Sequence, residues 1–299
     1  MTTKIKSPQL LSRNCYLPKV LASQAPLPLP IKGEGCGNTF LIFDCLDLPP
    51  QHIKAKIKEA YPILIKENRD DALILVKEFM DDKKLILKMI VLEPDGSIAE
   101  FCGNGARVVC CYLHKKFDSQ KIDFYLKTSL GKRQIWAHNG LYHVEMGKTL
   151  LRSHKNKFFN PILETFQLGL GMKQFKFYWT ETLEPHLVTF DMIEEDELRD
   201  LGLYLNHYQR SFFPRGINLN RAEVLSETSL SVITFERGVN RITEACGTGA
   251  TSCAMLAKAL GSICRINEIE VWLKGGKIMI YPKGGNAIMA GPAEIYAST

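Results

Sequence analysis

Three observations predict an α+β protein made of two equivalent lobes. Its 299 residues exceed the ~100–200 that one ordinary domain occupies. Beyond the first thirty residues, short strand-like and helix-like runs alternate along the chain. One segment also occurs twice: Glu100-Phe101-Cys102-Gly103-Asn104-Gly105-Ala106 matches Glu244-Ala245-Cys246-Gly247-Thr248-Gly249-Ala250 at five of seven positions, 144 residues later. A second match, Gly131–Trp136 with Gly276–Tyr281, falls at an offset of 145. Two matches at nearly one offset mark an internal repeat.

Residues 1–29 read as a flexible N-terminal extension, rich in Pro and free of acidic residues. Thr39–Phe43 follows the Gly33, Gly35, Gly37 turn and reads as a strand. Ile53–Tyr61 is an amphipathic helix expected to end near Pro62, which cannot continue the hydrogen-bond ladder. Asp71–Phe79 and Leu85–Leu92 are β-like, with a turn at Asp81–Asp82 and another at Asp95–Gly96. Gly105–Lys115 is a helix that opens on glycines. Ile122–Thr128, Arg133–His138 and Leu141–Met146 are strands, the last two joined at Asn139–Gly140. The second half follows the same style. Strands are expected at Phe175–Thr180 and His186–Phe190, a charged helix over Glu194–Leu201, and strands at Ile217–Leu225 and Ser231–Arg237. A helix covers Thr248–Leu260, and hairpin strands occupy Ile269–Leu273 and Lys277–Tyr281.

Composition removes several function classes. No run approaches the ~20 apolar residues of a membrane span. The net charge of +6 is thinly spread, which does not suit nucleic acid. The 45% hydrophobic content is ample for a core. The nine cysteines are odd in number, and residues 1–25 lack a secretory apolar stretch, so a disulfide framework is not expected. No CxxC pair occurs, so neither is a metal site. Most cysteines then pack as small hydrophobes. Cys102 and Cys246 differ in their neighbours.

Each of these two precedes a glycine-flexed turn and a helix start. Unpaired backbone N–H groups and the positive end of the helix lie there. Both features are expected to favour thiolate and to hold a carboxylate. Inverting a stereocentre requires one base on each face of a carbon, and two thiols, one ionised and one protonated, meet that need. The helix ends would stabilise the charge that develops as the α-proton leaves. No cofactor is required.

At these residues the chain resembles the diaminopimelate epimerase family of cofactor-independent two-cysteine epimerases. Asp95-Gly96-Ser97 with Glu100–Arg107 is similar to the first cysteine signature, and Ala245–Ala250 to the second. Gly35-Cys36-Gly37-Asn38-Thr39-Phe40, Pro185-His186, Gly216-Ile217-Asn218, Glu236-Arg237-Gly238, Gly275-Gly276 and Gly291-Pro292-Ala293-Glu294 extend the match in the right order. The resemblance implies pseudo-symmetric lobes of mixed β-sheet, each wrapped around a central helix, with the site in the cleft. Residues 30–148 plus 290–299 would form the lobe carrying Cys102, and 149–289 the lobe carrying Cys246. Cys102 and Cys246 would be the acid/base pair, supported by His186 and Glu236. The turns at Gly103–Asn104 and Gly247–Thr248 would hold the reacting carboxylate. Asn38, Asn218, Glu236 and Arg237 would bind substrate, with Asn218 and Arg237 on the distal carboxylate. The implied reaction converts LL-2,6-diaminopimelate to the meso form for lysine and peptidoglycan synthesis. The implied setting is a cytoplasmic homodimer with a small-molecule amino-acid substrate and no membrane or nucleic-acid partner.

The chain departs from the family pattern around the distal pocket. Glu93 stands where the family has Asn before Asp-Gly-Ser, Glu184 where it has Asn before Pro-His, and Thr39 where it has Asp. Added carboxylates suit a cationic side-chain group better than a second carboxylate. Two alternatives follow: a racemase or epimerase of another, basic amino acid, or a non-catalytic paralogue that only binds one.

Overall fold

A computed structural model describes residues 27–117, 121–128, 131–151, 153–154, 162–163, 165–264 and 267–296. The expected N-terminal extension lies outside the described residues up to position 26. The first half runs β1 (Ile31–Gly35), β2 (Asn38–Asp44), α1 (Ile53–Glu67), β3 (Asp71–Met80), β4 (Lys84–Leu92), β5 (Ile98–Ala99), α2 (Gly103–Lys116), β6 (Asp123–Thr128), β7 (Gly131–His138) and β8 (Leu141–Lys148). Three short strands follow: β9 (Leu150–Leu151), β10 (Ser153–His154) and β11 (Ile162–Leu163). The second half runs β12 (Thr165–Leu170), β13 (Lys173–Thr182), β14 (Glu184–Thr189), α3 (Glu195–Tyr208), β15 (Asn218–Ser226), β16 (Ser229–Glu236), β17 (Arg241–Ile242), α4 (Gly247–Ala259), β18 (Ile269–Leu273), β19 (Gly276–Lys283), β20 (Asn286–Gly291) and β21 (Glu294–Tyr296).

Strand pairing turns the sequence repeat into a structural one. In the first half β2 lies parallel to β3, β3 antiparallel to β4, β4 parallel to β6, and β6, β7 and β8 form an antiparallel meander. In the second half β14, β15, β16, β18, β19 and β20 repeat that pattern in the same order and sense. Helix α1 connects β2 to β3 as α3 connects β14 to β15. The halves meet where β8 pairs antiparallel with β20. Beyond that seam each half lends a strand to the other, β9 to β13 and β21 to β1.

Helices α2 and α4 are buried on every side, from Gly103 to Leu113 and from Gly247 to Ala257. This accounts for the weak amphipathicity of α4. A helix wrapped by sheet needs no polar face. The main core cluster gathers both helices and the inner faces of the strands around them. Each buried Val or Leu gains roughly 1.5–3 kcal/mol by leaving water.

Two helix ends differ from expectation. Helix α1 runs past Pro62 to Glu67. Pro62 and Lys58 lie on its exposed face, while Ile53, Ala60 and Leu64 hold both sides of the proline against the sheet. Helix α3 continues from the expected stop at Leu201 to Tyr208. Gly202, within that extension, is there for space: a Cβ on it would lie 2.3 Å from the Phe235 ring. Strands β1, β20 and β21 carry too little alternation to be legible in sequence, whereas β12, also not expected, alternates Phe166, Leu168 and Leu170 with Thr165, Gln167 and Gly169.

Candidate active site

The two cysteines cap the two buried helices in the same way. Cys102 precedes α2 with φ −131° and ψ 110°, and its Sγ accepts from the Gly105 N–H at 3.3 Å. Cys246 precedes α4 with φ −122° and ψ 108°, and its Sγ accepts from the Gly249 N–H at 3.4 Å. The helix starts abut: a Cβ on Gly103 would lie 3.4 Å from the Gly247 Cα, and one on Gly247 would lie 3.4 Å from the Gly103 Cα. Met289, on the seam strand β20, packs against both glycines. Two helix N-termini therefore converge on one spot with a thiol on each.

That spot opens into a cleft of about 410 Å³. Its walls include Asn38, Glu93, Cys102, Gly103, Asn104, Glu184, Glu236, Arg237, Cys246, Gly247 and Thr248, all expected from sequence. His186 and Asn218 do not line it. Both are buried behind the wall. The Asn218 side chain accepts from the Arg237 backbone N–H at 2.9 Å and donates to the Glu184 carboxylate at 3.2 Å. His186 stands behind Thr248, with Nε2 3.1 Å from Thr248 Oγ1.

The proton positions around His186 follow from its neighbours. Asn220 donates through Nδ2 to the Leu187 carbonyl and accepts at Oδ1 from Thr234. Its Nδ2 therefore faces His186 Nδ1 at 3.1 Å as a donor. The imidazole proton then sits on Nε2 and is given to Thr248 Oγ1. The Thr248 hydroxyl proton is left for Cys246 Sγ, 3.4 Å away. Burial holds the imidazole neutral, with its pKa pushed down to about 3.

Sequence reasoning missed Asp71. Its carboxyl takes a hydrogen bond from the Cys102 thiol, as Glu236 takes one from Cys246. Asp71 opens β3 opposite Phe40, as Asn218 opens β15 opposite His186. Only the sheet register brings out that equivalence. Glu93 and Glu236 are likewise equivalent, each following the β4 or β16 residue that pairs with the second residue of β3 or β15.

The expectation that the helix ends favour thiolate meets a stronger opposing effect. Desolvation, Asp71 and Glu236 push the Cys102 thiol well above its ordinary range against the single Gly105 N–H. Desolvation and Glu236 do the same to Cys246 against Thr248 and Gly249. The carboxyls respond in turn. Desolvation and neighbouring carboxylates raise Asp71 well above normal, and burial lifts Glu236 to about 7 against its hydrogen bond from Thr243. With only the protein's own charges present, protons stay on sulfur until a cation enters or a carboxylate takes them.

The deep end of the cleft is an ion-pair web. Arg237 Nη2 contacts Glu184 at 3.2 Å and Glu100 at 3.1 Å. Arg215 reaches Glu181 at 3.0 Å, and Arg241 reaches Asp70 at 2.6 Å at the rim.

Comparison with known proteins fits this geometry. The family model for diaminopimelate epimerase matches residues 181–296. A diaminopimelate epimerase of Carboxydothermus hydrogenoformans is 31% identical over 278 residues, covering 89% of this chain and 96% of that protein. One of Bacillus velezensis is 30% identical over 282 residues, covering 89% and 96%. The chain belongs to the diaminopimelate epimerase family. It is an isomerase of the amino-acid epimerase and racemase kind. Solved structures share the fold: a hydroxyproline epimerase from Agrobacterium vitis has a TM-score of 0.64 at 13% identity, covering 90% of each chain. A phenazine biosynthesis protein of the PhzF family from Enterococcus faecalis has a TM-score of 0.61 at 13% identity, covering 90% of this chain and 96% of that one. Among the described residues no helix is long and apolar enough to cross a membrane.

Proposed function

We propose that the protein inverts the α-carbon of an amino acid by two-base proton transfer between Cys102 and Cys246, without a cofactor. The convergence of the two cysteine-capped helix starts carries this reading, since it sets a thiol at each side of one carboxylate-sized spot. The substrate carboxylate rests on the N–H groups of Gly103–Asn104 and Gly247–Thr248. One cysteine first gives its proton to its own carboxylate partner, Asp71 or Glu236. An acceptor pushed up to about 7 is matched to that task near neutral pH. The thiolate takes the α-proton, and negative charge spreads into the substrate carboxylate against the helix ends. The opposite thiol then delivers its proton to the other face. Atoms balance, and the two cysteines end with their roles exchanged.

LL-2,6-diaminopimelate, inverted to the meso form, is the substrate that the relatives' names bring to this site. With it comes a place in lysine and peptidoglycan precursor synthesis, as a cytoplasmic homodimer. A second reading, inversion of a different, basic amino acid, is favoured by one observation: Glu184 already holds Arg237. The reaction is tested by incubating the purified protein with L-amino acids in D₂O and following loss of the α-proton signal by NMR. The reading requires exchange that Cys102→Ala and Cys246→Ala abolish; full exchange in either variant would sink it.

A further inference from the structure

The web at the deep end of the cleft constrains what the substrate's far end can be. Arg237 is the deep wall's cation, and Glu184 meets it with a carboxylate that is itself buried, 7% exposed. Asn218 fixes both partners at once, by its amide on Glu184 and its carbonyl on the Arg237 backbone. Glu100 adds a second carboxylate to the same guanidinium nitrogen. Of the other lining arginines, Arg215 is paired with Glu181 and Glu100, Arg241 with Asp70, and Arg210 donates to the Asn206 carbonyl.

Three carboxylates that line the cleft, Glu93, Asp71 and Glu236, carry no ion pair among the described residues. Glu93 accepts from the Ser97 hydroxyl and sits against the Gly238 backbone. Asp71 and Glu236 have only thiol or hydroxyl donors described for them. A further acceptor lies in the same wall. Asn104 is 2% exposed, donates its amide to Asn38 and the Ala245 carbonyl, and leaves its Oδ1 without a partner among the described residues. The lining thus holds spare acceptors and has its deepest guanidinium already engaged by the protein.

A substrate with a distal carboxylate would have to displace Glu184 from Arg237 and leave that buried carboxylate unpaired, which is costly. A substrate with a distal cation meets Glu93 and the outer face of Glu184 and displaces nothing. It also offsets the burial, and behind it the neighbouring carboxylates, that lift Glu93 (beside Asp95) and Glu236 (beside Glu184 and Glu93).

Resting on the two-thiol inversion above, we infer that this site is selective for amino acids whose side chain ends in a cation and carries no second carboxylate, with Glu184 as the residue that sets the selection. Glu184 is a positioning residue. It acts by engaging Arg237, not by touching the reacting carbon.

The test is a competition in D₂O with the full-length protein. L-lysine, L-ornithine and L-arginine are compared with LL-2,6-diaminopimelate and with L-norleucine, which has lysine's carbon chain without its charge. The expected result is α-proton exchange of the basic amino acids at kcat/KM at least about tenfold above both other probes. Exchange of diaminopimelate as fast as or faster than lysine, or of norleucine as fast as lysine, overturns the inference while leaving the two-thiol reaction standing. No exchange with any amino acid overturns the two-thiol reaction itself. A second variant isolates the selector. Glu184→Gln keeps the side chain's shape and releases Arg237 from its buried carboxylate. It should raise the ratio of diaminopimelate to lysine kcat/KM about tenfold, mainly through KM. An unchanged ratio in a folded variant with normal exchange of its best substrate removes Glu184 from the role.

Discussion

Around Cys246 the sheet offers Asn220, His186 and Thr234; at the register-equivalent places around Cys102 it offers Leu73, Phe40 and Val91. The helix caps are alike to within about 10°, and the walls behind them are not. Spacing makes the same point. A Cβ on Gly249 would meet the Asn220 side-chain oxygen, and one on Gly105 would meet the Leu73 methyls. The comparison separates two tasks. The backbone supplies what both thiols need, a helix end and a cap N–H. The sheet supplies what one needs alone, the His186 imidazole that turns the Thr248 hydroxyl proton toward sulfur. Cys246 is therefore the thiol better provided for when ionised, and Cys102, with Asp71 at its side and an apolar wall behind, is better kept protonated.

Variants that erase each side test that division. The largest effect is expected from Cys102→Ala and Cys246→Ala, each lowering inversion by at least about 10⁴-fold because a proton carrier is lost outright. Polarimetry or chiral chromatography checks this.

Next is His186→Phe, which gives the second half the residue of the first. Unfolded, His186 takes up its proton near the ordinary 6.5; folded, it resists to about 3. The unfolded chain thus binds the extra proton in between. The stability that neutral His186 contributes is whole above about 6.5 and is lost as pH falls toward 3, on the order of 4 kcal/mol at the end of that window. The variant should lose less stability on acidification than the wild type, measured by urea unfolding at pH 7 and pH 4.5. Equal losses would contradict the buried neutral assignment.

Glu236 works in the opposite sense. Its folded value of about 7 exceeds the ordinary 4.5, so its contribution is whole below about 4.5 and lost as pH rises through about 7. Glu236→Gln should gain on the order of 3 kcal/mol relative to wild type at pH 8. It should also remove a rise in kcat/KM through pH 7. A wild-type profile flat between pH 6 and 8 would refute the carboxylate's role as proton acceptor.

The smallest effect is the sharpest probe. Thr248→Val should slow alkylation of Cys246 by iodoacetamide about tenfold, the worth of one hydrogen bond to a charged acceptor, and leave Cys102 unchanged. Peptide mass spectrometry resolves the two sites. Equal slowing at both would erase the asymmetry.

Much of this was legible in the chain itself. The CGxGA repeat located both helix starts and both thiols, because a helix N-terminus that must approach a ligand needs small residues at fixed spacing. Glu93 and Glu184 were visible as departures from a family pattern. The strand-to-strand equivalences were not, since Phe40 and His186, or Leu73 and Asn220, share no chemistry and only the sheet register relates them. Asp71 escaped for that reason. The thiol environment escaped for another: helix ends are local, whereas desolvation and the Asp71 and Glu236 charges come from strands outside the two motifs. Pro62 misled because packing overrode local propensity.

The exchange of edge strands sets a timetable for making the protein. Strand β1 is completed by β21, with Lys32 opposite Tyr296. At roughly 5–20 residues per second, a ribosome delivers that partner on the order of 10–50 s after β1 has emerged. Until then the first half has a bare strand edge and the second is still being written, so neither can finish alone. Losing the last few residues would leave β1 permanently open to pairing with other chains. A C-terminal truncation ahead of Glu294 should therefore appear in cells first as insoluble protein, before any question of turnover arises.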